Sequence, residues 1–263
     1  MKISLLQAKI SLGCLEENRQ SVRRLLEAAM PDAPDVAVLP EMWSVGFFPK
    51  PLSGYADEDG SQTREFLGGL AKEYSVNIVG GSVAVKCGDA IANTSYIFDR
   101  RGSAIASYEK IHLFSPTKEN KFFKNGKKIT SFTLDGVKCG IAICYDIRFP
   151  ELIRKLALDG IDVLFVPAAW PVERLPHWQL LNTARAVENQ IFVAAVNGAG
   201  SFKKFHLGGN SLLIDPWGKI LNQADGSESI ITADFDLSIL KDIRSNMNIM
   251  HDRQPQLYKG LDE

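Results

Sequence analysis

Apolar positions recur along this chain of 263 residues with two different periods. Short runs rich in Val, Ile and Leu, bounded by Gly, Asn, Asp or Pro, predict strands over residues 3–7, 36–39, 77–85, 95–99, 104–108, 138–143, 162–166, 192–196, 211–214 and 230–234. Between them the apolar spacing lengthens to a helical period over 15–30, 62–74, 150–158 and 177–189. In the first of these helices Val22, Leu25, Leu26 and Met30 share one face, with charges elsewhere. Pro150 suits a first helical turn and Gly160 a C-terminal stop. Asp99-Arg100-Arg101-Gly102 and Asp215-Pro216-Trp217-Gly218 read as tight turns between paired strands.

Strands alternating with helices, mixed with hairpins, indicate a layered α/β fold rather than an all-β sandwich. No Pro/Gly/Ser-rich linker, composition break or internal repeat divides the chain, so residues 1–263 read as one domain. From about Ser245 the periodicity weakens, and an arm or tail is expected there.

Composition narrows the partners. Hydrophobic residues make up 45% and charged residues 23%, and the formal net charge is -1. No basic stripe invites nucleic acid and no polybasic arm suggests a membrane surface, which leaves a small molecule as the expected ligand. Gln7 and Lys9 interrupt the first apolar run, so it reads as a strand rather than a signal peptide. No apolar run is long enough to span a bilayer. Four cysteines without a CxxC pair are too sparse for a disulfide framework and fit a reducing, cytoplasmic setting. The spacing of Cys139 and Cys144 is no zinc spacing, and no metal site is expected.

Three segments could carry chemistry. In Gly140-Ile141-Ala142-Ile143-Cys144-Tyr145-Asp146 a strand runs into a thiol and then a polar turn, whose free N–H groups suit an oxyanion. Cys144 reads equally as a buried core thiol. In Val36-Ala37-Val38-Leu39-Pro40-Glu41 a buried strand delivers a carboxylate that burial would turn into a general base, unless it is a solvated loop residue. Lys110, after a strand in Tyr108-Glu109-Lys110-Ile111-His112, could donate to an oxyanion or be an ordinary surface lysine.

Taken together, Leu39-Pro40-Glu41, then Glu109-Lys110-Ile111-His112-Leu113, then Cys144-Tyr145-Asp146-Ile147-Arg148-Phe149-Pro150-Glu151, resemble the nitrilase-like carbon–nitrogen hydrolase superfamily. The resemblance runs from Gln7 to Gly218 and implies a four-layer α-β-β-α sandwich in which Glu41, Lys110 and Cys144 meet at one end of the sheets. It also makes Glu119 the second glutamate of the site, although Glu119 sits in a lysine-rich stretch that could simply be solvated. The resemblance implies a cysteine-dependent amidase. Glu41 takes the thiol proton, while Lys110 and the Tyr145 N–H hold the oxyanion. Ammonia leaves, and water then hydrolyses the thioester. No cofactor is needed.

Other cysteine chemistries fit less well. His112, His177, His206 and His251 lack a partnering motif for a Cys–His pair, and His112 reads as a locally packed or hydrogen-bonded residue. Cys144 lacks the flanking glycines of a nucleophile elbow.

Ala169-Trp170-Pro171, Arg174-Leu175-Pro176-His177-Trp178 and the helix from Ala184 to Gln190 are similar to the omega-amidase branch, which includes 2-oxoglutaramate amidases. This implies the ω-amide of a small 2-oxo or dicarboxylic acid as substrate. Arg148 is then the candidate for the substrate carboxylate, or else an ion-pair partner of Asp146 or Glu151. Trp170 is a candidate pocket wall or plain core, and Arg185 with Glu188 reads as a structural or interface pair. A homodimer is implied as well, through the surface near the Cys144 helix. Another amide or N-carbamoyl hydrolase, or a non-catalytic scaffold of the same fold, stays open.

Overall fold

The computed structural model describes residues 1–47, 49–202 and 205–258. In chain order its first half forms β1 (Lys2–Gln7), β2 (Val36–Val38), β3 (Asp57–Glu58), β4 (Asn77–Val79), β5 (Val83–Cys87), β6 (Ala90–Phe98) and β7 (Ala104–Glu109), with α1 (Leu15–Ala29) and α2 (Ser61–Tyr74) between them. The second half adds β8 (Ser131–Leu134), β9 (Val137–Ile141), β10 (Val163–Ala168), β11 (Phe192–Asn197), β12 (Ser201–Phe202), β13 (Phe205–His206), β14 (Leu212–Ile214), β15 (Ile220–Gln223) and β16 (Ser229–Asp234). Its helices are α3 (Pro150–Leu158), α4 (Leu175–Asn189), α5 (Ile239–Asn246) and α6 (Ile249–Asp252).

Two large sheets result, one in the order β16-β1-β2-β4-β6-β5-β3 with β7 on β6, the other in the order β15-β14-β11-β10-β9-β8, and β12 and β13 pair as a separate two-stranded sheet. Side-chain alternation explains how the two large sheets stack. Ile3, Leu5, Val36 and Val38 point into the cluster shared with Ile141, Val163 and Phe165 of the second sheet. Their neighbours Leu6, Ala37 and Leu39 pack on Val22, Leu25 and Leu26 of α1 and Leu67 and Leu70 of α2. On the far side Leu152, Ile153 and Leu156 of α3 and Trp178 and Ala186 of α4 cover the second sheet. Each sheet is thus covered by helices on one face and by the other sheet on the other, which makes the arrangement the expected α-β-β-α sandwich. No helix among the described residues is long and apolar enough to cross a membrane.

The differences from the sequence expectations are informative. The run expected as one strand over 77–85 is broken at Gly80-Gly81-Ser82, where Gly81 has φ 59°. The break bonds to another part of the chain: Ser82 N donates to Pro40 O at 3.2 Å, Met42 N to Ser82 Oγ at 3.1 Å and Trp43 Nε1 to Gly80 O at 2.9 Å. β8 and β15, each a four-residue edge strand, lie outside the expected strands. The stretch from Ser245 continues α5 and then forms α6, with Gln190 Nε2 donating to Met247 O at 2.6 Å.

A Cβ at Gly81 would lie 2.1 Å from Pro40 O, in a left-handed backbone that alanine resists. Gly81→Ala is therefore expected to destabilise the fold by about 2–4 kcal/mol, read as a lowered urea midpoint.

Candidate active site

β2 ends at Val38, and the chain then turns through Leu39-Pro40-Glu41 between the two sheets. Leu39 N donates to Val79 O at 3.0 Å on one side, and Glu41 N donates to Ala168 O at 3.2 Å on the other. This double anchorage places Glu41 wholly out of solvent. Lys110 follows β7 directly and is held by its own N–H to Asn93 O at 2.9 Å. Its side chain is 1% exposed, so it is not the surface lysine of the alternative reading.

The Lys110 ammonium bonds Glu41 Oε1 at 2.8 Å and both Glu119 oxygens at 3.1 and 3.0 Å. Glu119 is buried in a 3-10 turn (Glu119–Lys121), and Phe114 N donates to its Oε2 at 2.6 Å. Asn93 Nδ2 bridges the carboxylates, at 2.8 Å to Glu41 Oε1 and 3.3 Å to Glu119 Oε1. The other Glu41 oxygen accepts from Ala169 N at 3.0 Å. Each buried charge is thus paired and hydrogen-bonded, without which burying it would be prohibitive.

Cys144 begins a 3-10 helix (Cys144–Arg148) with φ 49°. A left-handed turn at a non-glycine residue is uncommon, and here it forms without the glycine neighbours that elbows elsewhere use. Asp146 holds it. This fully buried carboxylate accepts from Ile143 N at 2.9 Å, Tyr108 OH at 2.7 Å, and His112 N and Nδ1 at 2.9 and 2.8 Å. It therefore ties the turn carrying Cys144 to the segment carrying Lys110. His112, stacked on Phe149 at 3.6 Å, is a structural residue, but it bonds Asp146 across the chain rather than locally as expected. Tyr145 stands in the first turn of the 3-10 helix, where N–H groups have no carbonyl within the helix to reach.

Electrostatics divides the labour. Burial, then the negative charge of Glu41, pushes the Cys144 thiol well above the ordinary cysteine range, with Lys110 pulling partly back. Burial raises Glu41 above the usual carboxylate range. Lys110 opposes that shift and Glu119 reinforces it. Burial also works against the Lys110 charge, but Glu41 and Glu119 outweigh it and keep the ammonium above the ordinary lysine range. Glu41 and the Ala169 N–H both act on the thiol, the carboxylate raising its pKa and the N–H lowering it. The arrangement offers a neutral thiol beside a carboxylate of raised basicity and a permanent cation.

A cavity of ≈ 200 Å³ opens in front of Cys144, and Arg148, Trp170 and Arg174 stand in its wall. Arg148 lies over the Trp170 ring at 4.8 Å and reaches His177 Nδ1 at 3.3 Å. It pairs with neither Asp146 nor Glu151, because Asp146 is engaged elsewhere and Glu151 is exposed with no ion pair among the described residues. Trp170 is 3% exposed and donates from Nε1 to Arg174 O at 2.8 Å, so it is at once core and pocket wall. Arg185 bonds Ile147 O at 3.0 Å and Glu188 at 2.7 Å, which makes that pair structural.

Residues 2–245 match the family described as carbon-nitrogen hydrolase. The chain belongs to this family. It is 43% identical to the 2-oxoglutaramate amidase of Bacillus subtilis over 97% of this chain and 98% of that protein. It is 33% identical to an omega-amidase of Xenopus tropicalis over 98% and 96% of the two chains. Among solved structures, a Saccharomyces cerevisiae protein of branch 10 of the nitrilase superfamily superposes with a TM-score of 0.89, at 30% identity over 95% of this chain and 94% of that one. This carbon–nitrogen hydrolase is an enzyme acting on amides.

Sequence reasoning missed Asn93, Arg174 and the role of Asp146 in this carbon–nitrogen hydrolase. Asn93 lies in the part of β6 that its polar Asn93-Thr94-Ser95 run hid. Asp146 was legible only as a possible partner of Arg148. Asp146→Asn removes the charge and turns one acceptor oxygen into an amide NH2 facing two of the four donors, and is expected to cost about 3–5 kcal/mol of stability. Tyr108→Phe, which deletes one donor to a charged group, should cost about 1.5–3 kcal/mol. Thermal or urea unfolding of both variants checks the order.

Proposed function

We propose that this carbon–nitrogen hydrolase is an ω-amidase, cleaving the terminal amide of a small 2-oxo or dicarboxylic acid monoamide such as 2-oxoglutaramate through a thioester on Cys144. The observation that carries the reading is the buried Glu41–Lys110–Glu119 cluster set against a thiol that lines a small cavity. The cavity is smaller than the ~300–1,000 Å³ typical of drug-sized ligand sites, which suits a short acyl chain. Likeness to the 2-oxoglutaramate amidase of Bacillus subtilis supports the acid named here.

In this reading Glu41 accepts the Cys144 proton as sulfur attacks the amide carbon. The developing oxyanion is held by Lys110 Nζ and the Tyr145 N–H. Collapse of the tetrahedral adduct breaks the C–N bond, and Glu41 returns the proton so that ammonia leaves. Glu41 then takes a proton from water, whose oxygen attacks the thioester carbon. Collapse of this second adduct releases the acid, and the proton returns to the Cys144 sulfur. The sum is amide plus water to acid plus ammonia. Glu119 acts by holding the Lys110 ammonium in place. Arg148 receives the substrate carboxylate in a two-pronged contact, and Trp170 forms the wall beneath it. The reading includes a cytoplasmic homodimer.

Ammonia release should be measured over ω-amides, simple aliphatic amides, carbamoyl amino acids and nitriles. Activity is expected on ω-amides, and Cys144→Ala should abolish it. Turnover of nitriles alone, or ammonia release that survives in Cys144→Ala, would refute the reading. The base must be ionised to act, and burial raises the Glu41 pKa. The acid limb of kcat/KM should therefore lie above the ordinary glutamate value of about 4.3, activity falling as pH drops through it. A limb at or below that value would remove Glu41 as the base.

A further inference from the structure

The cavity wall holds a second guanidinium for which the reaction above has no use. Arg174 lies in a 3-10 turn (Val172–Arg174), and its backbone is fixed at both ends: its N–H donates to Pro171 O at 3.1 Å and its carbonyl accepts from Trp170 Nε1 at 2.8 Å. Its guanidinium rests over the Phe114 ring at 5.3 Å and, among the described residues, donates to no acceptor. Arg148 likewise lies over a ring, Trp170 at 4.8 Å, with one of its NH2 groups on His177 Nδ1 at 3.3 Å. A guanidinium stacked on a ring keeps its N–H edge in the plane, free for a ligand. Glu173, exposed in the same wall, forms an ion pair with neither arginine.

Both platforms are wired to the reacting end. Phe114 N donates to Glu119 Oε2 at 2.6 Å, and Ala169 N, one residue before Trp170, donates to Glu41 Oε2 at 3.0 Å. The two arginines are thus held at set positions relative to Cys144, unlike surface side chains on a free stem.

We propose that Arg174 is a specificity-determining residue that, together with Arg148, grips the 2-oxo-carboxylate head of the substrate, so that the enzyme selects ω-amides of 2-oxo acids over those of the corresponding acids that lack the ketone. This deepens the ω-amidase reading and rests on it. The chemistry is a matter of counting acceptors. A carboxylate fills one guanidinium fork with two parallel hydrogen bonds. The neighbouring ketone oxygen is a third acceptor, and entering an aromatic-lined cavity without a donor would leave it unsatisfied at a cost. Arg174 supplies that donor. A substrate with a methylene in place of the ketone leaves Arg174 idle.

The test compares kcat/KM for 2-oxoglutaramate, counted as its open-chain form, with that for glutaramate, which has the same length and carboxylate but no ketone. The native enzyme should prefer the 2-oxo substrate by about 10–100-fold, the range of one hydrogen bond to a charged group. In Arg174→Gln this ratio should collapse toward unity, chiefly through KM, whereas Arg148→Gln should lower both substrates by a similar factor and keep the ratio. The rate of Cys144 alkylation by iodoacetamide in each variant checks that the site is intact. A ratio unchanged in Arg174→Gln with an intact site overturns the proposal. So does a native enzyme that cleaves both substrates equally. Should the native enzyme cleave neither, the ω-amidase reading itself falls, and this inference with it.

Discussion

A single buried cation organises this molecule. Lys110 sits 1% exposed between Glu41 and Glu119, and neither carboxylate reaches solvent. Ionised groups are kept in an apolar interior only by close partners and full hydrogen bonding. Meeting that condition recruits the Asn93 amide and the N–H groups of Phe114 and Ala169. Those groups come from both sheets and from the loop after β7, so the cluster dictates how the two sheets meet at this end.

The thiol is governed by a second buried carboxylate. Asp146 gathers Ile143 N, Tyr108 OH and both donors of His112, and so couples the turn before Cys144 to the stretch around Lys110. The left-handed backbone at Cys144 (φ 49°) is a conformation that L-residues hold only when their surroundings insist on it. Asp146 is that insistence. Glycine neighbours become unnecessary, and the local sequence shows no sign of an elbow.

The cavity joins two kinds of electrostatics within a short distance. Its inner end is dry, paired and fixed, which suits bond making and breaking around one sulfur. Its wall carries two guanidiniums lying over aromatic rings, a chemistry that suits an anionic ligand. Backbone N–H groups beside Phe114 and Trp170 connect the two, so recognition at the wall is registered against Glu41 and Glu119.

Sequence alone was enough for the layered α/β architecture, because strands buried on two faces and amphipathic helices write their periods directly into the chain. It was also enough for Glu41, Lys110, Glu119 and Cys144 as a set, since each stands in its own segment and the segments come in a recognisable order. It could not tell a buried Lys110 from a solvated one, because burial is decided by residues far away in the chain. The break at Gly80-Gly81-Ser82 looked like continuous strand, since its purpose is to bond Pro40, Met42 and Trp43 across space. Asn93 and the hydrogen-bonding role of Asp146 left no local mark for the same reason. Hydrogen bonds between residues tens of positions apart have no period, and only the tertiary structure brings their partners together.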